Sequence, residues 1–303
     1  MMTQLAEQWV IIISTPIYLF LIGGELILSH LHQRHLYTWK DTITNVYLML
    51  LNAGVDVLFR VVYLGVFLFC YQYAVVEWSN PIWYWVCLIL AEDFLYYWLH
   101  RFDHEIRFFW ATHVTHHSSE KMNFTVGFRS SVFQPLYRFL YFLPLPLLGF
   151  QPLDILVAYS VTQIWGIFVH TELVGKLGWL EYILVTLSHH RVHHASNALY
   201  LDKNMGMFLI IWDKMFGTFQ EEKKAEEYEP IRYGLTKNLE KPNALTIVFH
   251  EWTQIWRDVV QPGIRLRDRW MYLFGPPGWS HDGSRKTSEE LRREERAKVS
   301  QPK

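Results

Sequence analysis

The stretch 99–117, LHRFDHEIRFFWATHVTHH, decides the fold because it sets five histidines at helical spacing. His100 and His104 lie four residues apart, and His113, His116 and His117 form an HxxHH pattern. Residues four apart share one face of a helix, about one turn from each other. We therefore predict that two consecutive helices meet here with their imidazoles facing one another.

A second stretch, SHHRVHH at 188–194, repeats the HxxHH pattern with one further histidine in front. We call the HxxxH and the two HxxHH patterns the histidine boxes. Imidazole suits zinc, copper, iron and nickel, and one octahedral ion takes about six ligands. The clustered histidines therefore predict two adjacent ions, while His189 is interpreted as a further ligand, as a neighbour of the metal site or as part of a substrate pocket. The predicted ligands are His100, His104, His113, His116, His117, His170, His190, His193 and His194.

Acidic residues near the boxes are predicted to support this site. Asp93 lies on the same helical stripe as His100 and His104, inside an apolar run where an unpaired charge is costly. We expect Asp93 to accept a ring N–H from a metal-bound histidine, as carboxylates around such sites usually do. Glu105 and Glu172, each close in sequence to a box histidine, could ligate or orient in the same way.

The first 170 residues are otherwise strongly apolar. Of the 303 residues 51% are apolar, and the net charge of −1 gives no electrostatic case for a nucleic-acid partner. A bilayer core needs roughly 20 apolar residues in a helix, and the runs 9–29, 46–76 and 82–99 satisfy this. Two shorter apolar pieces within 135–169, split by GFQP at 149–152, predict a hairpin that enters the membrane and returns.

The basic residues predict the orientation in the membrane. The loop 30–40 carries Arg34 and Lys40, whereas the loop around 78–80 has no basic residue, which places the first loop and all the boxes in the cytoplasm. The expected fold class is thus all-α and integral to the membrane. It has about three transmembrane helices, a membrane-inserted helical hairpin and a histidine-rich helical cap on the cytoplasmic face.

These motifs resemble those of the fatty acid hydroxylase (sterol desaturase) superfamily, and within it the chain is most similar to the alkylglycerol monooxygenases. The resemblance implies that the box histidines hold two iron ions and that the chain is an O2-dependent monooxygenase of a membrane lipid. It further implies cleavage of alkyl glycerol ethers, a tetrahydropterin as reductant, and a role in activity for Glu105. The motifs that carry it are YYWLHRFDHE (96–105), THVTHHSSE (112–120), HTEL (170–173), LSHHRVHH (187–194) and DKNMGMFLIIWDKMFGTFQ (202–220).

The same resemblance suggests how the chain is divided. No HPGG haem motif is present in the sequence, so electrons would come from a separate donor or a diffusible reductant. The last twenty residues are highly charged and predict a frayed helix or a tail. The predicted parts are membrane anchor helices (1–80), a fatty acid hydroxylase catalytic domain (81–220) and an interfacial C-terminal region with a charged tail (221–303).

Rival functions stay open at this point. A fatty-acyl, sterol, carotenoid or aminolipid hydroxylase or desaturase would use the same boxes. A membrane metal transporter would carry its polar residues near the midplane, whereas these boxes lie at span ends and beyond. A haem protein would need only two or four axial histidines.

A lipid tail is expected to reach the metals through an apolar channel between the hairpin and the third span. C–H oxidation requires that water be kept out until substrate binds. Aromatic residues near the boxes could form that dry wall, and the isolated His250 and His281 are interpreted as ordinary polar residues. The aromatic candidates are Phe102, Phe108, Phe109, Trp110 and Phe124.

Overall fold

A computed structural model describes residues 2–299 of the protein, with side chains from residue 12 onward. This part of the chain is helical and contains no β-strand, only two isolated bridges. Short 3-10 helices lie at Phe124–Phe128, Arg138–Phe142, Gly178–Tyr182 and Ala198–Tyr200. The α-helices are α1 (Met2–Leu31), α2 (Trp39–Tyr71), α3 (Pro81–Glu105), α4 (Arg107–His117), α5 (Gln134–Tyr137), α6 (Pro144–Leu147), α7 (Pro152–Phe168), α8 (Leu187–His193), α9 (Ile211–Phe216), α10 (Ala244–Val259), α11 (Leu266–Phe274) and α12 (Ser288–Val299).

Three helices, α1, α2 and α3, are long and apolar enough to cross a bilayer. Their outward faces carry large apolar side chains, with Phe20 78% and Leu58 82% exposed. Extended apolar surface of this kind indicates contact with lipid rather than with water. The predicted all-α class with about three spans is confirmed, and the assignment of the spans to a membrane follows from their length and composition.

The second and third helices begin and end at places that the apolar runs alone did not give. The Thr38 side chain accepts the Asp41 backbone N–H and caps α2, so that helix starts well before the predicted 46. The Asn80 side chain caps α3, and Pro81 occupies its first position. The third helix also continues past residue 99 to Glu105, which places His100 and His104 on its last turns.

The predicted hairpin is present, but its first arm is not one helix. Between residues 134 and 148 the chain forms α5, a 3-10 helix and α6, and only the second arm, α7, is continuous. The arms join at Gly149, which has a φ of +84°. A Cβ at this position would lie 2.0 Å from Val76 O, so only glycine fits. The Val75 backbone N–H donates to Leu147 O at 2.8 Å, so the turn packs against the loop between α2 and α3.

A sharp reversal at Ile106 folds the first two boxes together. Ile106 has φ −115° and ψ 117°, an extended conformation that ends α3 and begins α4. The new helix turns back along the old one, and its buried face includes His113 and His117. This reversal brings α4 histidines opposite the α3 histidines.

The C-terminal region packs on this core through a buried arginine. Arg107, at the start of α4, pairs with Glu251 at 2.7 Å and with Asp258 at 2.6 Å, both on α10. The charged tail is an ordered helix up to Val299 instead of a frayed end, because Arg292 of α12 donates to Leu201 O at 2.6 Å. The chain therefore brings residues from its far end close to the boxes.

Candidate metal centre

The nine predicted histidines meet in two adjacent clusters, and within each cluster the candidate ligand atoms all lie within 4.8 Å of one another. All except His116 are buried. The two clusters touch, since the rings of His117 and His194 stack with their centroids 4.4 Å apart. The five-histidine cluster is His100, His104, His113, His117 and His193; the four-histidine cluster is His116, His170, His190 and His194.

Each HxxHH box divides its histidines between the clusters. His113 and His117, four residues apart on α4, enter the five-histidine cluster, and His116 between them enters the other. In the second box the four-apart pair, His190 and His194, enters the four-histidine cluster instead. Successive helical residues differ by about 100° in direction, so the middle histidine of a box points away from the outer pair. This arrangement gives two sites that share two helices.

Backbone carbonyls fix the ring tautomers in the four-histidine cluster. His116 Nδ1 lies 3.0 Å from Arg129 O, and His170 Nδ1 lies 2.6 Å from Gly166 O. A carbonyl oxygen only accepts, so both Nδ1 atoms carry the proton and donate. A neutral ring then has a lone pair on Nε2, and the Nε2 atoms of His116 and His170 face each other at 3.2 Å. Two lone pairs at this distance repel unless a cation lies between them.

The five-histidine cluster has the same arrangement. His100 Nδ1 donates to Met205 O at 2.8 Å and His193 Nδ1 donates to Lys203 O at 3.0 Å. His104 Nδ1 lies 3.1 Å from the Asp202 carboxylate. The Nε2 atoms of His104 and His193 are then left buried without a hydrogen-bond partner. Buried acceptors without a donor are rare and require an explanation. A metal ion would provide one, because it binds the lone pairs that neutral imidazoles direct toward it.

Electrostatics keep the rings of His113, His117, His170 and His194 neutral. Burial, followed by repulsion from neighbouring imidazoles, holds the pKa values of His113, His117 and His194 well below their usual range. Burial likewise lowers the pKa of His170 to about 4. Metal ligation requires the unprotonated ring, so this environment makes the lone pairs available at neutral pH. The clusters can therefore hold metal ions.

One short segment, 202–205, anchors three rings of the five-histidine cluster through Asp202, Lys203 O and Met205 O. Asp202 and Asn204 have φ values of +49° and +55°, which Asp and Asn tolerate better than other side chains. Buried Asp213 accepts the backbone N–H groups of Met205 and Gly206 and so fixes the segment. We call residues 202–205 the anchoring segment.

The hydrogen-bond partner predicted for Asp93, a ring N–H of a metal-bound histidine, is wrong. Its carboxylate accepts the Phe208 and Leu209 backbone N–H groups at 2.9 and 3.0 Å and the Trp212 indole N–H at 2.9 Å. These bonds hold the chain just after the anchoring segment. In the described residues Asp93 makes no hydrogen bond to a histidine, because the backbone of 205–209 lies between them and supplies the His100 partner instead.

The other expected residues lie outside the clusters. Glu105 is at the surface, with its side chain 44% exposed and paired to Arg101 at 2.8 Å. Consecutive residues of a helix point about 100° apart, so Glu105 points away from the cluster that its neighbour His104 enters. Glu172 lines a different cavity beside Tyr233. His189 accepts the Thr186 backbone N–H on its Nδ1 and belongs to neither cluster.

Two carboxylates that support the site were missed. Asp202 was quoted only as part of a motif, although its position directly before the anchoring carbonyls gives it the His104 contact. Asp103, fully buried, accepts the Tyr137 hydroxyl at 2.7 Å and lies 3.8 Å from His113 Nδ1. Its position beside His104 in HRFDHE was the available signal. Of the aromatic candidates Trp110 packs on the centre, with its ring 5.6 Å from that of His117.

Cavities approach the clusters from two sides. An inner cavity of about 200 Å³ is bounded by His100, His116 and His170, and it adjoins an outer cavity of about 410 Å³ between α1, α2 and α7. The expected channel thus runs along the hairpin and the first two spans more than along α3. On the other side a polar cavity of about 440 Å³ reaches His104 and is lined by C-terminal residues, including His250.

Three helices of membrane-spanning length, followed by shorter helices that complete two histidine clusters, define a membrane protein whose histidines can hold metal ions. Residues 85–218 match the fatty acid hydroxylase family. This range contains every residue of both clusters and the anchoring segment.

Curated relatives agree with that assignment. The chain is 35% identical to human alkylglycerol monooxygenase over 88% of its own length and 59% of that protein. It is 34% identical to an ornithine lipid hydroxylase of Rhizobium tropici, over 44% of this chain and 40% of the relative. Human lathosterol oxidase is 27% identical over 49% of this chain and 48% of its own length. No solved structure matches the chain.

Proposed function

We propose that this protein is a membrane di-iron monooxygenase that hydroxylates a lipid C–H bond with O2. The observation that carries the proposal is the pair of touching histidine clusters at the end of a cavity that begins among the apolar spans. Imidazole ligands suit iron, and two iron ions bound there would activate O2 for attack on a C–H bond. The relatives named as lipid monooxygenase and hydroxylase act in the same class of chemistry.

The proposed substrate is an alkyl glycerol ether, hydroxylated at the carbon beside the ether oxygen. The similarity to alkylglycerol monooxygenase covers 88% of this chain, whereas the aminolipid and sterol enzymes match less than half. A match over 88% of the chain extends into α2, which lines both cavities on the lipid side. An ornithine-lipid or sterol substrate is the alternative.

The chain's own residues have three tasks in this reaction. The carbonyls of the anchoring segment and Asp202 hold the histidines in their metal-binding tautomers. Trp110 packs against the rings of His104 and His117 and shields this part of the centre from water. The outer cavity holds the hydrocarbon chain of the lipid beside Phe67, Phe139 and Phe142.

We also propose that the reductant approaches from the polar cavity, which reaches the five-histidine cluster beside Lys237 and Glu251. A tetrahydropterin is the first candidate and a separate electron-transfer protein the second. The cytoplasmic orientation is part of the proposal, because the basic loop 32–38 packs at the same end as the clusters. Lys121, four residues after His117, donates to His35 O at 3.0 Å there.

Lipid analysis tests the proposal. The full chain is expressed beside His193→Ala, and total lipids are compared by mass spectrometry. Loss of alkyl ethers, with release of a fatty aldehyde, supports ether cleavage, whereas a gain of one oxygen in aminolipids or sterols supports the alternative. Lipids that are identical in both cultures contradict the enzymatic proposal. Purified protein supplied with tetrahydropterin or with a reduced ferredoxin then identifies the reductant.

A further inference from the structure

The inner and outer cavities meet at a polar neck. The two cavities share six lining residues, of which five are polar although the neck lies among apolar spans. Polar groups at such depth are expensive and are expected to have partners. The neck residues are Asn52, Ala53, Ser130, Gln134, Arg138 and Gln163.

Two donors at this neck lack acceptors. Gln163 Nε2 and Arg138 Nε are buried and make no hydrogen bond to a described residue, although the Tyr96 hydroxyl lies beside Gln163. The other contacts of Arg138 are long: its guanidinium lies 3.4 Å from the Tyr159 hydroxyl and 3.7 Å from Asp103. A buried donor without an acceptor is unfavourable. Because both unpaired atoms donate, the missing partner must accept.

The shape of the two cavities orients a lipid relative to this neck. The outer cavity is lined by apolar side chains such as Phe142, Ile155 and Leu156 and suits a hydrocarbon chain. The inner cavity is smaller and ends at His100 and His116. A lipid with its chain in the outer cavity therefore has an atom at the neck and the adjoining atoms against the histidines.

We propose that Gln163 and Arg138 donate hydrogen bonds to the ether oxygen of the lipid and thereby determine which carbon faces the clusters. This inference rests on the proposed function. An ether oxygen accepts and never donates, which matches two donors with no unpaired acceptor at the neck. With that oxygen fixed, the neighbouring carbon is the one presented to the centre, so the two residues determine specificity.

Binding without turnover tests this directly. The full chain is reconstituted in lipid nanodiscs without O2, and calorimetry measures the Kd of a long-chain alkylglycerol and of its carbon analogue, in which CH2 replaces the ether oxygen. The wild-type protein is expected to bind the ether about thirtyfold more tightly or better, since Gln163 contributes a neutral hydrogen bond and the Arg138 guanidinium a charged one. Gln163→Leu is expected to lower this preference by about three- to tenfold, because Arg138 still donates, and to leave the Kd of the carbon analogue unchanged.

Matched variants separate recognition from general damage. Gln72→Leu is the same substitution at an exposed position beyond α2 and should keep the full preference. Arg138→Lys retains the charge beside Asp103, loses the Nε donor and should reduce the preference. Tyr96→Phe removes the hydroxyl beside Gln163 and should keep the preference if Gln163 serves the lipid instead of Tyr96.

The inference is overturned by any of three results: equal Kd values for both ligands in the wild type, an unchanged preference in Gln163→Leu, or loss of the preference in Tyr96→Phe. A monoacylglycerol that binds as tightly as the ether would assign the acceptor to a carbonyl and also overturn it. Failure of the proposed function is distinct, because it would leave every lipid unoxidised in the turnover assay whatever the binding preference.

Discussion

Asp202 offers the sharpest test of how the centre is built. Its carboxylate lies 3.1 Å from His104 Nδ1, and its side chain is 23% exposed. A hydrogen bond to a charged group contributes roughly 1.5–3 kcal/mol and a neutral one roughly 0.5–1.5 kcal/mol. Asp202→Asn keeps the acceptor oxygen and tolerates the φ of +49°, so only the charge is lost.

The expected loss is about 1 kcal/mol of metal binding in the five-histidine cluster, since partial exposure weakens the charge effect. That corresponds to roughly a fivefold increase in the metal Kd. The measurement is the metal content of purified protein against rising chelator concentration. Asp282→Asn, at an exposed aspartate far along the chain, is the matched control. If Asp202→Asn and the control release metal at the same chelator concentration, Asp202 does not orient His104.

Three further outcomes are expected from the same geometry. His193→Ala removes a donor from one cluster only and should lower metal content by about one ion per chain, whereas His189→Ala should keep both ions; equal loss in the two variants would count against the division into clusters. Asp93→Asn places an amide N–H group where one carboxylate oxygen accepted, opposite either the Phe208 N–H or the Leu209 and Trp212 N–H groups. It should lower the free energy of unfolding by about 1–3 kcal/mol, and an unchanged denaturation midpoint would refute this. Chelation should lower Tm because metal stabilises only the folded form, and a constant Tm after verified metal loss would contradict that coupling.

The sequence predicted the members of the centre better than their arrangement. Helical spacing within one box is local, so all nine histidines could be named. The division of these histidines into clusters of five and four depends on the chain reversal at Ile106 and on the contact between α8 and α4. No local sequence pattern encodes how these separate helices meet. Asp93 was assigned a histidine partner because the sequence shows that it shares a face of α3 with His100 and His104. The sequence does not show that the backbone of 205–209 packs against that face.

The supporting acids illustrate the same limit. Glu105 is next to His104 in sequence, yet the helix end turns it to the surface beside Arg101. Asp202 lies 98 residues after His104 in the sequence, yet its side chain contacts the His104 ring. The first hairpin arm was predicted as a single apolar piece, but it forms several short helices. Sequence distance is a poor measure of proximity in a site assembled from several helices.

The anchoring segment has a consequence for the order in which this protein can mature on the ribosome. His100 and His104 leave the ribosome early, but the groups that orient their rings, Met205 O and Asp202, are synthesised about a hundred residues later. The three membrane-spanning helices are synthesised before Asp202 and Met205. The spanning helices can therefore enter the bilayer before the centre is complete. Metal can be loaded only late, because a nascent chain that ends before residue 202 lacks the groups that orient the rings of His100 and His104.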